Sequence, residues 1–396
     1  EKSREIFQSV DSNRSENKII WVDMGFQFTF CLFGYCSMLI HSKTKIEQDF
    51  ILFSTYPWLR DDFKGNYFSE KNEYVLDLEE ESIKEYEKSL LDKSSGCLLG
   101  FAIGDSLGFP VAGINKKDVG RFIKSVINRF EENPKHPFFF HLKKGQYTNN
   151  TDMLLISVKD LLKNNGFNIK SYQRTLISWF NSLKENKQNE RWLGPTAFKA
   201  LERLSKTNDY QISGSKLTES CSSTYRVIPL GIFYRNNLFK LKEYTNISSS
   251  ITHNSVISKT GSLITNLIIS NLINGNLPEN SVKSVLRIVG KNKENKKLID
   301  KIEVAIKFSK SKSINEARKE FGSGSPIYQT LPLAVYCFLK SSKDFERAIL
   351  LAANSYRDDS AKEKEMLKNL SWEKQLVEAK GGNTDGIAGL TGAFLG

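Results

Sequence analysis

Cysteine and histidine are scarce in this chain of 396 residues, which contains five of the first and four of the second. Cys31, Cys36, Cys97, Cys221 and Cys337 are an odd number and include no Cys-x-x-Cys spacing. That excludes a zinc ribbon and a disulfide framework, and it points to a reducing compartment, the cytoplasm first. Acidic side chains are outnumbered, 45 against 57 lysines and arginines, for a formal net charge of +12. A basic excess attracts phosphate-bearing ligands in general, but it makes a nucleic-acid surface only where the basic residues cluster on one face. Here there is no arginine-aromatic stripe, and the lysines scatter among asparagine and serine, as in Lys291–Lys297 and Lys307–Lys312. Specific nucleic-acid binding is not expected. Long apolar runs are also missing, with one stretch to weigh, Met24–Ile40. At about 17 residues it sits at the short edge of a membrane-spanning helix. Phe26, Phe28, Phe30 and Leu32 alternate with Gln27, Thr29 and Cys31, which is the period of a half-buried strand and argues against a span.

What is present divides the chain in two. From about residue 18 to 59, period-two stretches (Ile19–Val22, Phe26–Leu32, Phe50–Ser54) predict a small β-containing unit. Leu76–Leu91 has acids at its start and lysines toward its end, as a helix dipole prefers. Ser94-Ser95-Gly96 reads as the boundary, so residues 1–95 form an N-terminal extension and 96–396 the body. Beyond Gly96, apolar residues recur every three or four positions in Val119–Phe130, Met153–Leu162, Ser171–Leu183, Thr196–Leu204, Gly261–Leu272, Ser281–Val289, Lys297–Phe308, Leu331–Leu339 and Lys343–Ala353. Strand-like alternation is nearly absent there, so the body is expected to be all-α, with ten or more helices. An acidic-basic stretch at 355–380 reads as an insertion.

Two distant segments carry the chemistry. Gly145–Met153 and Gly381–Gly386 each place small, turn-forming, oxygen-bearing residues ahead of an apolar run. Such oxygens suit the hard cations Mg²⁺ or Mn²⁺. A plain N-cap with an Asx-type turn at Thr148–Asp152 accounts for the first segment equally well. Three further segments stand out: Gly96–Gly108 with its Gly104-Asp105 pair, the hydroxyl-rich loop Ser220–Gly231 that carries Arg226, and Thr252-His253-Asn254. For Asp105, a cap and a site residue are both open; Arg226 reads equally as a core salt-bridge partner, and His253 more readily as a structural histidine than as a catalyst.

In order, these five segments resemble the ADP-ribosylglycohydrolase family. GCLLGFAIGDSLG is similar to its opening G-x-x-x-G-x-A-x-G-D-A-x-G, GQYTNNTDM to G-x-x-T-D-D-T-x-M, and CSSTYRVIPLG to N-G-x-x-M-R-x-x-P-x-G. ITHN is similar to the T-H motif, and GGNTDGIAGLTGAFLG to the closing G-G-D-T-D-T-x-A-x-x-x-G-A-x-x-G. The resemblance implies an all-α fold that binds two Mg²⁺ or Mn²⁺ ions between the second and last motifs and hydrolyses the bond between ADP-ribose and an acceptor. Such a site needs carboxylates to balance about four positive charges and to take a proton from the attacking water.

Carried over residue by residue, the resemblance gives Thr148, Asn149, Asn150, Asn383 and Asp385 as the metal positions, with Asp385 and Asn150 at catalytic ones. Asp105, Ser222, Ser223, Arg226 and His253 fall at ligand-binding positions. Three asparagines stand where the family has aspartate, and Gly386 where it has threonine. An asparagine keeps an oxygen and loses the charge. The reading that follows is a pseudoenzyme with a structural or interaction role in a larger assembly, binding its partners through residues 1–95 or the 355–380 insertion. The alternatives are an active hydrolase of an ADP-ribosylated substrate with altered Mg or Mn use, and a binder of ADP-ribose or a nucleotide without turnover.

Overall fold

The three- and four-residue apolar spacing folds as helix almost throughout the body. The structure is a computed structural model that describes residues 80–114, 119, 126–185, 191, 193–355 and 382–396. Those residues hold fourteen α-helices and no β-strand, only isolated bridges of Ser215 to His253 and Ser220 to Pro326. In chain order they are α1 (Glu80–Gly108), α2 (Asn149–Lys163), α3 (Ile169–Glu185), α4 (Pro195–Thr207), α5 (Tyr210–Ser213), α6 (Ser223–Phe233) and α7 (Leu238–Ser250). Then follow α8 (Val256–Ile273), α9 (Pro278–Val289), α10 (Lys296–Ser311), α11 (Ile314–Phe321), α12 (Ile327–Lys340), α13 (Phe345–Ala353) and α14 (Thr384–Leu395).

Local chemistry sets the helix starts. The side chains of Ser255 and Asp344 accept from the backbone N–H groups of Ser258 and Arg347 at the heads of α8 and α13. Ser313 and Glu316 close a reciprocal capping box at α11. Pro195 and Pro278 open α4 and α9, where a missing N–H leaves no intrahelical bond unmade. Among the described residues α8 alone is long and apolar enough to cross a membrane, and 67% of it is buried. It packs against α6, α7, α9 and α12, which accounts for a helix apolar on most of its faces.

The most extensive helix pairing joins α1 to α14. Gly96, Gly100, Gly104 and Gly108 of α1 face Gly396, Gly392, Ala388 and Thr384 of the α14 segment in antiparallel order. A Cβ on any of the four α1 glycines would fall closer than 3.0 Å to a backbone atom of that partner. With four-residue spacing on both sides the two backbones run in contact, and the Phe101 ring packs beside the seam against Gly389.

Several expectations need correction. No helix break falls at Ser94-Ser95-Gly96: α1 runs unbroken through it, with both serines buried. These small residues mark close packing, which a polar Ser-Ser-Gly string imitates. Residues 126–130 of the expected Val119–Phe130 helix are irregular. There the backbone N–H of Ile127 donates to Asn354 Oδ1 and its carbonyl accepts from Asn354 Nδ2, both at 2.8 Å. One side-chain amide thus replaces the helix ladder for this residue. The segment read as a hydroxyl-rich loop turns into α6 from Ser223, with Pro229 inside the helix. The strands expected before residue 60, the Met24–Ile40 stretch and residues 356–380 of the insertion lie outside the described residues.

Gly104→Ala is expected to destabilise the protein by about 1–3 kcal/mol or more, because only backbone stands in the way of the new methyl. Gly194→Ala, where a Cβ meets nothing within 4 Å, should stay within about 0.5 kcal/mol of the parent. Urea unfolding of the two variants side by side measures the difference.

Candidate functional site

The site is built where α1, α2 and α14 meet. Thr148 caps α2, its hydroxyl oxygen accepting from the Asn150 backbone N–H at 3.2 Å. The rest of the cap comes from another helix. Asp105 of α1 accepts four bonds: Thr148 Oγ1 donates to Oδ1 at 2.8 Å, while Thr148 N (3.1 Å), Thr151 N (3.2 Å) and Thr151 Oγ1 (2.6 Å) donate to Oδ2. A carboxylate at a helix N-terminus satisfies N–H groups that have no partner within the helix and meets the positive end of the dipole. Asp105, Thr148 and Thr151 are fully buried.

Asp385 occupies the first turn of α14, brought opposite by the glycine seam. Its Oδ2 accepts from Asn150 Nδ2 at 3.0 Å. An ionised carboxylate only accepts, so the amide nitrogen of Asn150 faces it and the carbonyl oxygen turns away. Burial, and then the charge of Asp385, raise the Asp105 carboxyl from 3.8 to about 7. Burial likewise raises Asp385 to about 6, against backbone N–H groups and Asn150 that favour its charged form. Two buried acids so close carry less than two full charges at neutral pH.

The remaining positions turn elsewhere. Asn149 Nδ2 and its backbone N–H both donate to the Arg191 carbonyl at 3.1 Å. Asn383 Nδ2 donates to Tyr225 Oη (2.9 Å), Thr330 Oγ1 (3.1 Å) and Cys221 Sγ (3.3 Å). Ser222 Oγ pairs with Ser220 Oγ at 3.1 Å, and Ser223 Oγ with Ser262 Oγ at 3.0 Å inside the α6–α8 contact. Arg226 and His253 are wholly buried, gathered at the turn after α7. Asp105, Thr148, Asn150 and Asp385 therefore form one hydrogen-bonded set, Asn383 belongs to a second, and among the described residues no hydrogen bond links Ser223, Arg226 or His253 to either.

Tyr225 is the residue that sequence reasoning passed over. Its hydroxyl lies 2.9 Å from Cys221 Sγ and accepts from Asn383, and its ring packs on Phe101 at 5.4 Å. A Cβ added at Gly386 would run into that same hydroxyl, so tyrosine at 225 requires glycine at 386. The two lie in separate motifs, and only the fold reveals the exchange of volume. Arg191 was missed as well. Its Nη1 donates to the Tyr147 carbonyl at 2.6 Å, its guanidinium stacks over the Tyr147 ring at 4.4 Å, and its Nε lies 3.6 Å from Asp152 Oδ2. Asp152, raised to about 6 chiefly by burial, thus faces Arg191.

Metal-binding capacity follows from the donors. Among the described residues no three His, Cys, Asp or Glu side chains converge. Both oxygens of Asp105 are taken by threonine and backbone donors, and Asp385 is met by an amide N–H where a cation needs an oxygen. This donor set does not fit a pair of divalent ions.

A family model described as ADP-ribosylglycohydrolase matches residues 87–361. An uncharacterised protein of Archaeoglobus fulgidus is 25% identical over 305 residues, covering 77% of this chain and 87% of its own. ADP-ribosylarginine hydrolase Tri1 of Serratia proteamaculans is 25% identical over 280 residues, 68% of each chain. A solved structure titled an ADP-ribosylglycohydrolase-related protein complex aligns with a TM-score of 0.56 at 20% identity, over 78% of this chain and 87% of that one. At that identity it speaks to the fold alone.

Two outcomes test the site as built. Asp105→Asn replaces an all-acceptor carboxylate that holds four donors, and should cost about 1–3 kcal/mol in urea unfolding. The acid pair also gives a pH signature. Raised carboxyls favour the fold most below 3.8 and lose that contribution as pH rises through about 6 to 7. In Asp385→Asn the decline across that window should shrink, since one raised carboxyl is removed and the other loses its charged neighbour, read from urea unfolding at a series of pH values.

Proposed function

The chain belongs to the ADP-ribosylglycohydrolase family, and from that premise we propose that this protein has given up metal-assisted hydrolysis and keeps the fold as a binding or structural module. One observation carries the reading: the Asn150 amide donates to Asp385 at 3.0 Å. Members of this family act on ADP-ribosylated substrates and typically depend on a metal. The positive charge of the metal would have to be balanced at these positions, and asparagine supplies none of that balance. Hydrogen bonds within the protein satisfy what is left. Asp105 holds the head of α2, Asn150 bonds to Asp385, and Asn383 bonds to Tyr225 and Thr330.

The Tyr225–Gly386 exchange supports the same conclusion, since a side chain cannot be restored at 386 while the tyrosine hydroxyl stays where it is. The role we propose is non-catalytic, within a larger assembly, with partner contacts on residues 1–95 or the 355–380 insertion. The competing reading, hydrolysis of an ADP-ribosylated arginine, draws on the likeness to Tri1.

ADP-ribose release from arginine-modified peptides, followed with Mg²⁺ and with Mn²⁺, separates them. No metal-dependent release is expected. Release that depends on either ion and disappears in Asp385→Ala would overturn the proposal. Restoring N149D, N150D, N383D and G386T together should not yield Mn²⁺ binding, read by electron paramagnetic resonance, unless Tyr225→Met is added.

A further inference from the structure

Arg226, the largest of the fully buried side chains, is in an electrostatic position that the protein itself does not complete. A guanidinium carries five N–H donors and stays protonated. Nη2 donates to the carbonyls of Ser248 (2.7 Å) and Ser249 (3.2 Å) at the end of α7. Nε and Nη1 are buried and have no acceptor. No carboxylate among the described residues pairs with the charge. Tyr172 is the one titratable group whose charge would favour it, and burial keeps that phenol protonated, bonded to Ser157 Oγ at 2.7 Å. Asp160, which acts on Tyr172 but forms no ion pair with Arg226, accepts through Oδ1 from Ser171 (2.7 Å) and Thr175 (3.0 Å), and its Oδ2 is buried without a partner.

His253 adds a second unsatisfied group at the same turn. Its backbone N–H donates to the Ser249 carbonyl at 2.8 Å, the acceptor that Arg226 Nη2 also uses. Its ring is wholly buried, Nδ1 lies 2.6 Å from Thr252 Oγ1, and Nε2 has no partner. When the Thr252 hydroxyl donates to Nδ1, the ring proton sits on Nε2, which becomes a further donor. Burial and the neighbouring Arg226 charge push this histidine down to about 3, so it is neutral at physiological pH and contributes a hydrogen bond without a second positive charge.

We propose that Arg226 and His253 enclose a small monovalent inorganic anion of halide size, held by Arg226 Nε and Nη1 and by His253 Nε2. A water molecule would accept from these donors but would leave the guanidinium charge uncompensated in a region of low polarisability. An anion does both. The class is small and monovalent because Arg226, Thr252 and His253 have no exposed surface and the excess charge is one. The site is separate from the Asp105–Asp385 cluster, and the proposal stands whether or not the protein hydrolyses anything.

The test uses the whole protein. At fixed ionic strength, the unfolding temperature in sodium chloride or bromide should exceed that in sodium gluconate by about 2 °C or more, since a ligand bound only by the folded state stabilises it. Arg226→Met should abolish the difference. Crystals grown in bromide should give an anomalous peak within hydrogen-bond distance of Arg226 Nε and His253 Nε2. Equal unfolding temperatures in halide and gluconate for the parent protein, or bromide crystals with only water at that place, would overturn the proposal. Both are read on the parent, so they hold even if Arg226→Met does not fold.

Discussion

Backbone-to-backbone contact between α1 and α14 is the constraint on which the rest of this structure depends. Four glycines at four-residue spacing leave α1 with a strip that has no side chains, and α14 answers with Thr384, Ala388, Gly392 and Gly396 at the same spacing. Such a contact gains from dispersion over many close atom pairs rather than from any large side chain. It also fixes register. A slip would bring larger side chains such as Phe101, already packed on Gly389, against the opposing backbone, so the glycine spacing favours this alignment.

That alignment is what makes the site. It sets Asp385 opposite Asp105 across the head of α2, and it brings the α14 entry onto Gly108 through the Thr384 hydroxyl at 2.7 Å. The electrostatics follow from the geometry: two acids buried side by side, each with a raised carboxyl, each answered by neutral donors. Asn150 and Asn383 close the surroundings of this pair with hydrogen bonds from neutral amides. Loss of charge here does not open a void, because asparagine is nearly the same shape as aspartate and Tyr225 fills the space beside Gly386.

Much of this was legible in the primary structure, for a physical reason. Helical periodicity is a local property, so α3, α4, α8, α10 and α12 lie close to where apolar spacing put them. The order of the motifs carried the fold, and the asparagines at 149, 150 and 383 carried the doubt about chemistry. What stayed hidden was long-range. Ser94-Ser95-Gly96 reads as a break in the chain, yet α1 runs through it and Gly96 lies against Gly396. Asp105 could have been a cap or a ligand; it proved to cap a helix that starts more than forty positions later, a bond of sequence separation 43. Tyr225 and Gly386 exchange volume across the fold, and neither residue is unusual alone. Arg191 sits in a stretch without periodicity, and nothing local signals that it would staple Tyr147.

The seam also says something about how the chain reaches its structure. Thr384 and Gly108 are separated by 276 positions, so the most extensive helix contact is among the most non-local. On a ribosome adding ~5–20 residues each second, α1 would wait roughly 15–55 s for its partner. Through that interval its glycine strip and the neighbouring Phe101 stay uncovered by α14. Contacts of such separation are entropically costly to close and come late in folding. The assembled Asp105–Asp385 cluster is then a marker of α14 docking, present only in molecules in which that helix has reached α1.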